Sequence, residues 1–182
     1  MPRNKLRLCV ALYSHGDGEM LEDEYTWDFV IAPKVQSTRS NNKLFTINRK
    51  RKNGEENCDQ SVWSHLELDR PLTLSSTPLV RIVVGKVRSK TRLLSILQLY
   101  QPGSEGLNNK NWAKEALRAV MEDNIALGTS VRDWESLQKV AEWFANLKKN
   151  ANRWSGQATC NAGEIPTWDM LENRQVRYGT FM

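Results

Sequence analysis

Residues 106–117 form the stretch of this sequence that bears most directly on chemistry. A polar segment, Asn108 to Asn111, runs into apolar residues at helical spacing, which predicts a loop leading into a helix. The start of a helix carries partial positive charge and unpaired backbone N–H groups, which is where a reactive thiolate is stabilised. In this chain that position holds Asn109, whose amide donates and accepts hydrogen bonds. The stretch therefore indicates directed hydrogen bonding without a nucleophile.

A second group of candidate residues lies in residues 25–31, which alternate between two faces as a strand does. The residues of one face are apolar or aromatic: Tyr25, Trp27, Phe29 and Ile31. Thr26 and Asp28 share the other face with Val30. The strand therefore presents a hydroxyl and a carboxylate together on one side.

The cysteine and histidine content argues against a metal centre and against a disulfide framework. The three cysteines, Cys9, Cys58 and Cys160, are far apart, and no Cys-x-x-Cys pair accompanies the two histidines. We expect no metal, and we expect each cysteine to be a bystander. Gly103 and Gly106 lack the Lys-Ser/Thr pair of a phosphate-binding loop, so we expect no nucleotide and no other cofactor.

Charge and hydropathy limit the classes of partner that we expect for this protein. The formal net charge is +5, and a basic balance is compatible with nucleic-acid binding. The densest basic cluster, residues 49–52, is followed by acidic residues and has no interleaved aromatic, so we interpret it as a solvated hairpin loop and expect no nucleic-acid partner. No run approaches the ~20 apolar residues of a membrane span, and no signal-peptide cleavage pattern follows the first apolar run. We expect a cytoplasmic protein, and the sequence does not indicate an oligomeric state.

The first half of the chain has the pattern of strands. Short apolar or alternating runs recur between turn-forming residues, and prolines interrupt them. The predicted strands are residues 6–14, 25–31, 42–48, 61–68 and 79–87. The last run is apolar on nearly both faces, so we expect it to lie inside the sheet.

The second half has the pattern of helices. Residues 91–100 have helical spacing, Asn108 is expected to cap the next helix, and a third helix begins near Ser130 or Asp133 and ends at Lys149. Candidate docking anchors follow in the tail: Trp154, Trp168 and Leu171. We predict a single α+β domain over residues 1–182, with an antiparallel sheet of about five strands packed against about three helices.

Six segments together resemble a family of small fungal proteins of unassigned function. They are residues 8–13, 25–34, 78–86, 106–117, 126–134 and 166–172. In typical members the second strand begins Tyr-His-Trp, the third strand carries another His, and a helix begins Asn-Cys-x-x-Trp. This order resembles permuted papain-like enzymes of the lecithin retinol acyltransferase type. It implies a permuted papain-like fold, in which a thiolate, an imidazole and an orienting group do the chemistry.

This sequence departs from the family pattern at each of those positions. Thr26 and Thr46 stand at the two His positions, and Asn109 stands at the Cys position. An amide does not form an acyl-enzyme under ordinary conditions, and threonine is no base near neutral pH. The departures argue against a thiol hydrolase or acyltransferase. All three residues are small and hydrogen-bonding, so together with Asp28 they predict a polar cluster.

Two interpretations of this cluster are open. In the first it is structural, because Asn109 helps cap a helix and threonines favour strands. In the second it belongs to a repurposed pocket that encloses a small apolar molecule. The candidate catalytic residues are then Asn109, Asp28 and Thr26, and the candidate ligand-binding residues are Thr46, Trp27 and Trp112, with Trp63 and Trp134 as further walls.

Three functions follow from these interpretations. The first is a cofactor-independent cyclase or isomerase of the pericyclic kind, acting on an apolar fungal secondary metabolite. Confining a flexible substrate lowers its barrier, and a donor such as Asn109 polarises a carbonyl, with Asp28 as acceptor or base. The second is a catalytically dead binding or interaction protein of the same fold. The third, suggested by charge alone, is a binder of nucleic acid or of a host target.

Overall fold

The structure is a computed structural model, and its strands and helices form one sheet and three helices. It describes residues 5–14, 24–34, 42–51, 61–70, 78–99, 108–153 and 165–176. For 42–51 and 61–70 the description is of the backbone alone. The long strands are β1 (Leu6–Ser14), β2 (Tyr25–Pro33), β3 (Asn42–Arg51), β4 (Ser61–Arg70) and β5 (Val80–Val87). The helices are α1 (Lys90–Leu99), α2 (Asn109–Glu122) and α3 (Trp134–Asn150). Three short strands complete the set: β6 (Leu127–Ser130), β7 (Thr167–Asp169) and β8 (Arg174–Val176).

The strands form one sheet in the order β4-β3-β2-β1-β5-β7-β8, with β6 paired to β5 off this path. Neighbouring strands are antiparallel, except that β5 and β7 run parallel. The α+β class is therefore confirmed, and β5 lies inside the sheet as its apolar sequence predicts. The expectation of an antiparallel sheet of about five strands was incomplete, because the chain returns after α3 to add β7 beside β5.

One local prediction was wrong. Residues 49–51 lie in β3, so most of the basic cluster belongs to a strand and not to a hairpin loop. Between α2 and α3, Gly128 and its neighbours form β6, because Ser130 pairs with Gly85 and Leu127 pairs with Val87. Pairing with a neighbouring strand overrides the weak strand propensity of glycine. Of the two residues at the predicted start of the third helix, Asp133 is the cap, and it accepts from the Ser136 N–H at 2.7 Å.

The two faces of the sheet differ in what covers them. One face packs against the helices and carries the main core, which includes Trp27 and Phe29 of β2. The other face carries a smaller apolar cluster, which consists of Cys9, Ala11, Val30, Ala32 and Val83. Because side chains alternate along a strand, Thr26 and Asp28 project on this second face. The sheet thus separates the aromatic residues of β2 from its two polar candidates.

The tail residues that the structure describes pack against both α3 and the second face of the sheet. Trp168 packs against Trp143 and Phe144 of α3, and Leu171 packs against the second-face cluster. Trp154, predicted as an anchor, lies outside the described residues. Within the described ranges, no helix combines the length and the apolar character that crossing a membrane would need.

Candidate functional site

The start of α2 is organised by Asn108, as the sequence predicts. Its side-chain Oδ1 accepts a hydrogen bond from the Asn111 N–H at 2.8 Å, and its backbone carbonyl accepts from the Trp112 N–H at 3.0 Å. A helix begins with backbone N–H groups that have no acceptor within the helix. Within the part of the chain that the structure describes, the N–H groups of Asn109 and Lys110 have no acceptor. The helix start therefore presents two backbone donors.

The Asn109 side chain connects α2 to β2. Its Oδ1 accepts a hydrogen bond from the backbone N–H of Trp27. The pairing of β2 with β3 begins at Phe29, two residues further along, so the amide of Asn109 takes the place of a strand partner at Trp27. The residue is 9% exposed, and its Nδ2 group is buried with no acceptor among the described residues. One end of the amide is thus fixed, and the other is a buried donor.

A chain of polar side chains attaches the first turn of α2 to α3. The Lys110 Nζ lies 5.7 Å from the centre of the Trp27 ring and 2.8 Å from Oε1 of Glu142. Glu142 also accepts from Gln138 at 3.0 Å, and Gln138 accepts from the Trp134 indole N–H at 2.9 Å. These contacts fix the orientation of the helix start relative to β2.

The candidate aromatic walls are enclosed by protein. Trp27 and Trp112 are each 1% exposed. The Trp27 ring lies 5.1 Å from that of Trp134, and the Trp112 ring meets Phe29 edge-on at 5.5 Å. These tryptophans fill the space between the helices and the sheet beside Asn109. Nothing is described of the Trp63 side chain.

Thr26 and Asp28 lie on the opposite face from these rings. Asp28 pairs with Ala11 of β1, Ala11 pairs with Arg81 of β5, and Arg81 pairs with Thr167 of β7. The four residues form one row across four strands, in which a fully buried Arg81 donates from Nη2 to Oγ1 of Thr167 at 3.3 Å. The structure therefore places the Asp28 side chain on the face of Arg81, and it does not place it on the face that carries the helices.

Thr46, the last candidate, belongs to β3. It follows Phe45, which pairs with Phe29, and it pairs with Leu66 of β4. Thr46 therefore lies next to the end of the pairing between β2 and β3. Nothing is described of its side chain.

Sequence reasoning missed the polar residues of the second face. Arg81 interrupts a run that is otherwise apolar, and a lone charge in an interior strand is a signal that something buried must satisfy it. Asp169 is buried on the same face and accepts from the Leu171 N–H at 2.8 Å. The sequence pattern could not predict the Lys110–Glu142 ion pair, because the two residues belong to different helices and are far apart in the chain.

Cys9 lies in the second-face cluster and is buried, as its position in an apolar strand predicts. Burial raises the pKa of the Cys9 thiol to about 11, and the nearby charge of Arg81 only partly opposes this. Cys58 and Cys160 lie outside the described residues. Among the side chains that the structure describes, no group of three or more His, Cys, Asp or Glu residues is placed to hold a metal ion.

The fold and the site define an α+β protein whose candidate site is an asparagine amide at a helix start. The chain belongs to a family whose model matches residues 5–176, described as a family of unknown function, DUF6914. Comparison with curated proteins and with solved structures gave no match.

Proposed function

We propose that this protein binds a small, largely apolar molecule through one oxygen atom at the start of α2. The observation that supports this proposal best is the Asn109 amide, whose Oδ1 is held by the Trp27 N–H while Nδ2 is buried without a described acceptor. A buried donor left unsatisfied costs about 1–3 kcal/mol. A carbonyl oxygen of a ligand at Nδ2 would remove that cost.

The proposal extends to catalysis without a cofactor. In it, the Asn109 amide polarises a carbonyl of the bound molecule, because a donor already fixed in orientation loses no energy to reorganisation in the transition state. Confinement beside the helix start favours one reactive conformer of a flexible chain. Such a site suits a cyclase or isomerase of the pericyclic kind, which needs no nucleophile.

Three finer elements of the proposal rest on the family resemblance of the sequence. They are a permuted papain-like arrangement, an apolar fungal secondary metabolite as substrate, and a cytoplasmic location. The contact between the start of α2 and β2 supports the first, since a nucleophile at the helix start would adjoin this strand, although the side chain of Thr26, at the position of the base, projects on the other face of the sheet. In this proposal Thr26 and Asp28 flank Trp27 and position the strand that holds the amide.

The test separates the two ends of the amide. Asn109→Asp keeps an oxygen acceptor for the Trp27 N–H and removes the Nδ2 donor. The probes are a panel of apolar ketones and lactones, each matched with its carbonyl-free hydrocarbon, and the readout is the NMR signal of the Asn109 side-chain amide. We expect a carbonyl probe to shift this signal and to bind Asn109→Asp about tenfold more weakly, as loss of one hydrogen bond predicts.

The matched control is Asn111→Asp, which makes the same change at an exposed residue of the same turn. It should leave binding unchanged. Probes that leave the Asn109 signal unmoved, or equal binding by wild type and Asn109→Asp, would overturn the proposal. Catalysis is tested with an acyclic probe that carries both a diene and a polarisable carbonyl. Catalysis is supported if wild type converts this probe faster than buffer does and if Asn109→Asp abolishes that conversion.

A catalytically inactive binding or interaction protein of the same fold is the second candidate. The observation that favours it is the enclosure of Trp27 and Trp112, which are nearly inaccessible to solvent. Carbonyl probes that bind at Asn109 and are never converted would favour this candidate over the enzyme.

A further inference from the structure

A stripe of apolar side chains runs along the outer side of α3, away from its buried face. Trp143 is 50% exposed and Leu147 is 47% exposed, and Val140 lies half-buried one turn before them. Positions 140, 143 and 147 have the three- and four-residue spacing that aligns side chains on one side of a helix. We call Val140, Trp143, Leu147 and the flanking Lys139 and Lys148 the α3 patch.

The aromatic centre of the α3 patch is held in place from behind. The Trp143 ring meets Trp168 of β7 edge-on at 5.1 Å, and its centre lies 6.0 Å from that of Phe144. A tryptophan that is fixed on one side and open on the other loses little side-chain entropy when a partner covers it. Tryptophans are also enriched among the residues that dominate binding energy at protein interfaces.

The charges of the patch are positive, and among the described residues the acidic group that interacts with Lys139 is Asp133, at the start of α3. Lys139 and Lys148 lie on opposite sides of it along the helix surface, and within the described ranges no carboxylate forms an ion pair with either. The Lys148 Nζ donates to the neutral Gln175 at 3.2 Å and lies over the Phe144 ring. Burial and the charge of Arg153 lower the pKa of Lys148, so an anionic group placed beside it would be stabilising.

We propose that the α3 patch docks an amphipathic helix of a partner protein whose leucine-type stripe is flanked by Asp or Glu. The spacing of the exposed apolar residues matches the i, i+3, i+7 contacts of a helix laid against a helix. The lysines on both sides of the stripe favour acidic residues on the partner. A second copy of this chain is disfavoured, because each copy carries the same basic patch and a net charge of +5. This proposal is independent of the site at Asn109.

The test uses a labelled synthetic peptide of about 18 residues, enough for five helical turns, with leucines on one face and glutamates on both flanks. One matched peptide carries lysine in place of glutamate, and another has the same composition in scrambled order. Binding is measured by fluorescence anisotropy. We expect the acidic amphipathic peptide to bind, the scrambled peptide to bind about tenfold more weakly, and the lysine peptide not to bind.

The variants Trp143→Ala and Lys148→Glu should each weaken binding of the acidic peptide about tenfold. Lys90→Glu makes the same charge change at an exposed residue of α1 and should leave binding unchanged. Circular dichroism of each variant checks that it is folded. Equal binding of the acidic and lysine peptides, wild-type affinity in Trp143→Ala, or a wild-type dimer in sedimentation that Trp143→Ala dissolves would overturn the proposal.

Discussion

Asn109 joins a structural task to the proposed binding task in a single side chain. Its Oδ1 satisfies the Trp27 N–H at the point where β2 has no β3 partner, and its Nδ2 remains a donor. An asparagine is suited to both tasks, because its amide carries an acceptor and two donors. A change at this residue therefore affects folding as well as binding, and the two effects must be measured separately.

Asn109→Ala should lower the free energy of unfolding by about 1–3 kcal/mol, because the buried Trp27 N–H loses its acceptor. Asn109→Asp should stay close to wild type, since it keeps that acceptor and places a negative charge at a helix start. Urea denaturation of the three proteins checks both expectations. Equal stability of Asn109→Ala and Asn109→Asp would show that the bond to Trp27 contributes nothing.

Cys9 predicts a pH dependence of stability. Its pKa is raised by burial from 9.0 to about 11 in the folded protein, so the folded state holds the proton more tightly than the unfolded state. The stabilisation is complete below about pH 9 and is lost as the pH rises through about 11, by up to about 3 kcal/mol. The unfolding free energy of Cys9→Ala should fall less over this window than that of wild type. Parallel curves for the two proteins would contradict this.

At the scale of elements, Gly85 of β5 leaves room for the side chain of Leu127 on β6. A Cβ on Gly85 would lie 2.8 Å from Cδ1 of the buried Leu127. Gly85→Ala should therefore lower the free energy of unfolding by about 1–3 kcal/mol, as overpacking does. The matched control is Gly128→Ala, whose Cβ would meet only a backbone oxygen at 3.8 Å and should cost less.

A double-mutant cycle with Leu127→Ala identifies the cause. If the clash is with Leu127, Gly85→Ala should cost less in the Leu127→Ala background than in wild type. Additive losses in thermal or urea unfolding would assign the cost of Gly85→Ala to another source, such as the backbone.

The sequence predicts an element well when the residues of that element alone carry its pattern. The long strands and the helices were predictable because burial repeats with period 2 or 3.6 along many residues, and because Asn108 caps a helix through bonds within one turn. β6, β7 and β8 have three or four residues each, too few to show a period. They are strands because of partners far away in the chain.

The same limit applies to the candidate site. The sequence indicates that Asn109 lies at a helix start, but its bond to Trp27 depends on where β3 stops pairing with β2. The alternation of β2 correctly separates Asp28 from Trp27. It does not reveal that Asp28 shares its row with Arg81, since that row is set by the registers of three strand pairs.

At the scale of the whole molecule, the second face of the sheet combines apolar residues with buried charges. Arg7, Arg81, Asp28 and Asp169 are all buried. A shift of one residue in any strand register would move such a group to the other face and away from its partners. Buried polar groups of this kind penalise wrong registers more than an apolar face would, which favours one arrangement of the central strands.

The position of β1 between β2 and β5 has a consequence for how the chain is made. On a ribosome β1 and β2 emerge before β5, and Leu12 pairs with Val80, which is added 68 residues later. At about 5–20 residues per second, one apolar edge of β1 waits roughly 3–14 s for its partner. During that interval it is open to pairing with other nascent chains. Slow elongation lengthens the interval, and a chaperone that covers extended apolar segments would protect the chain through it.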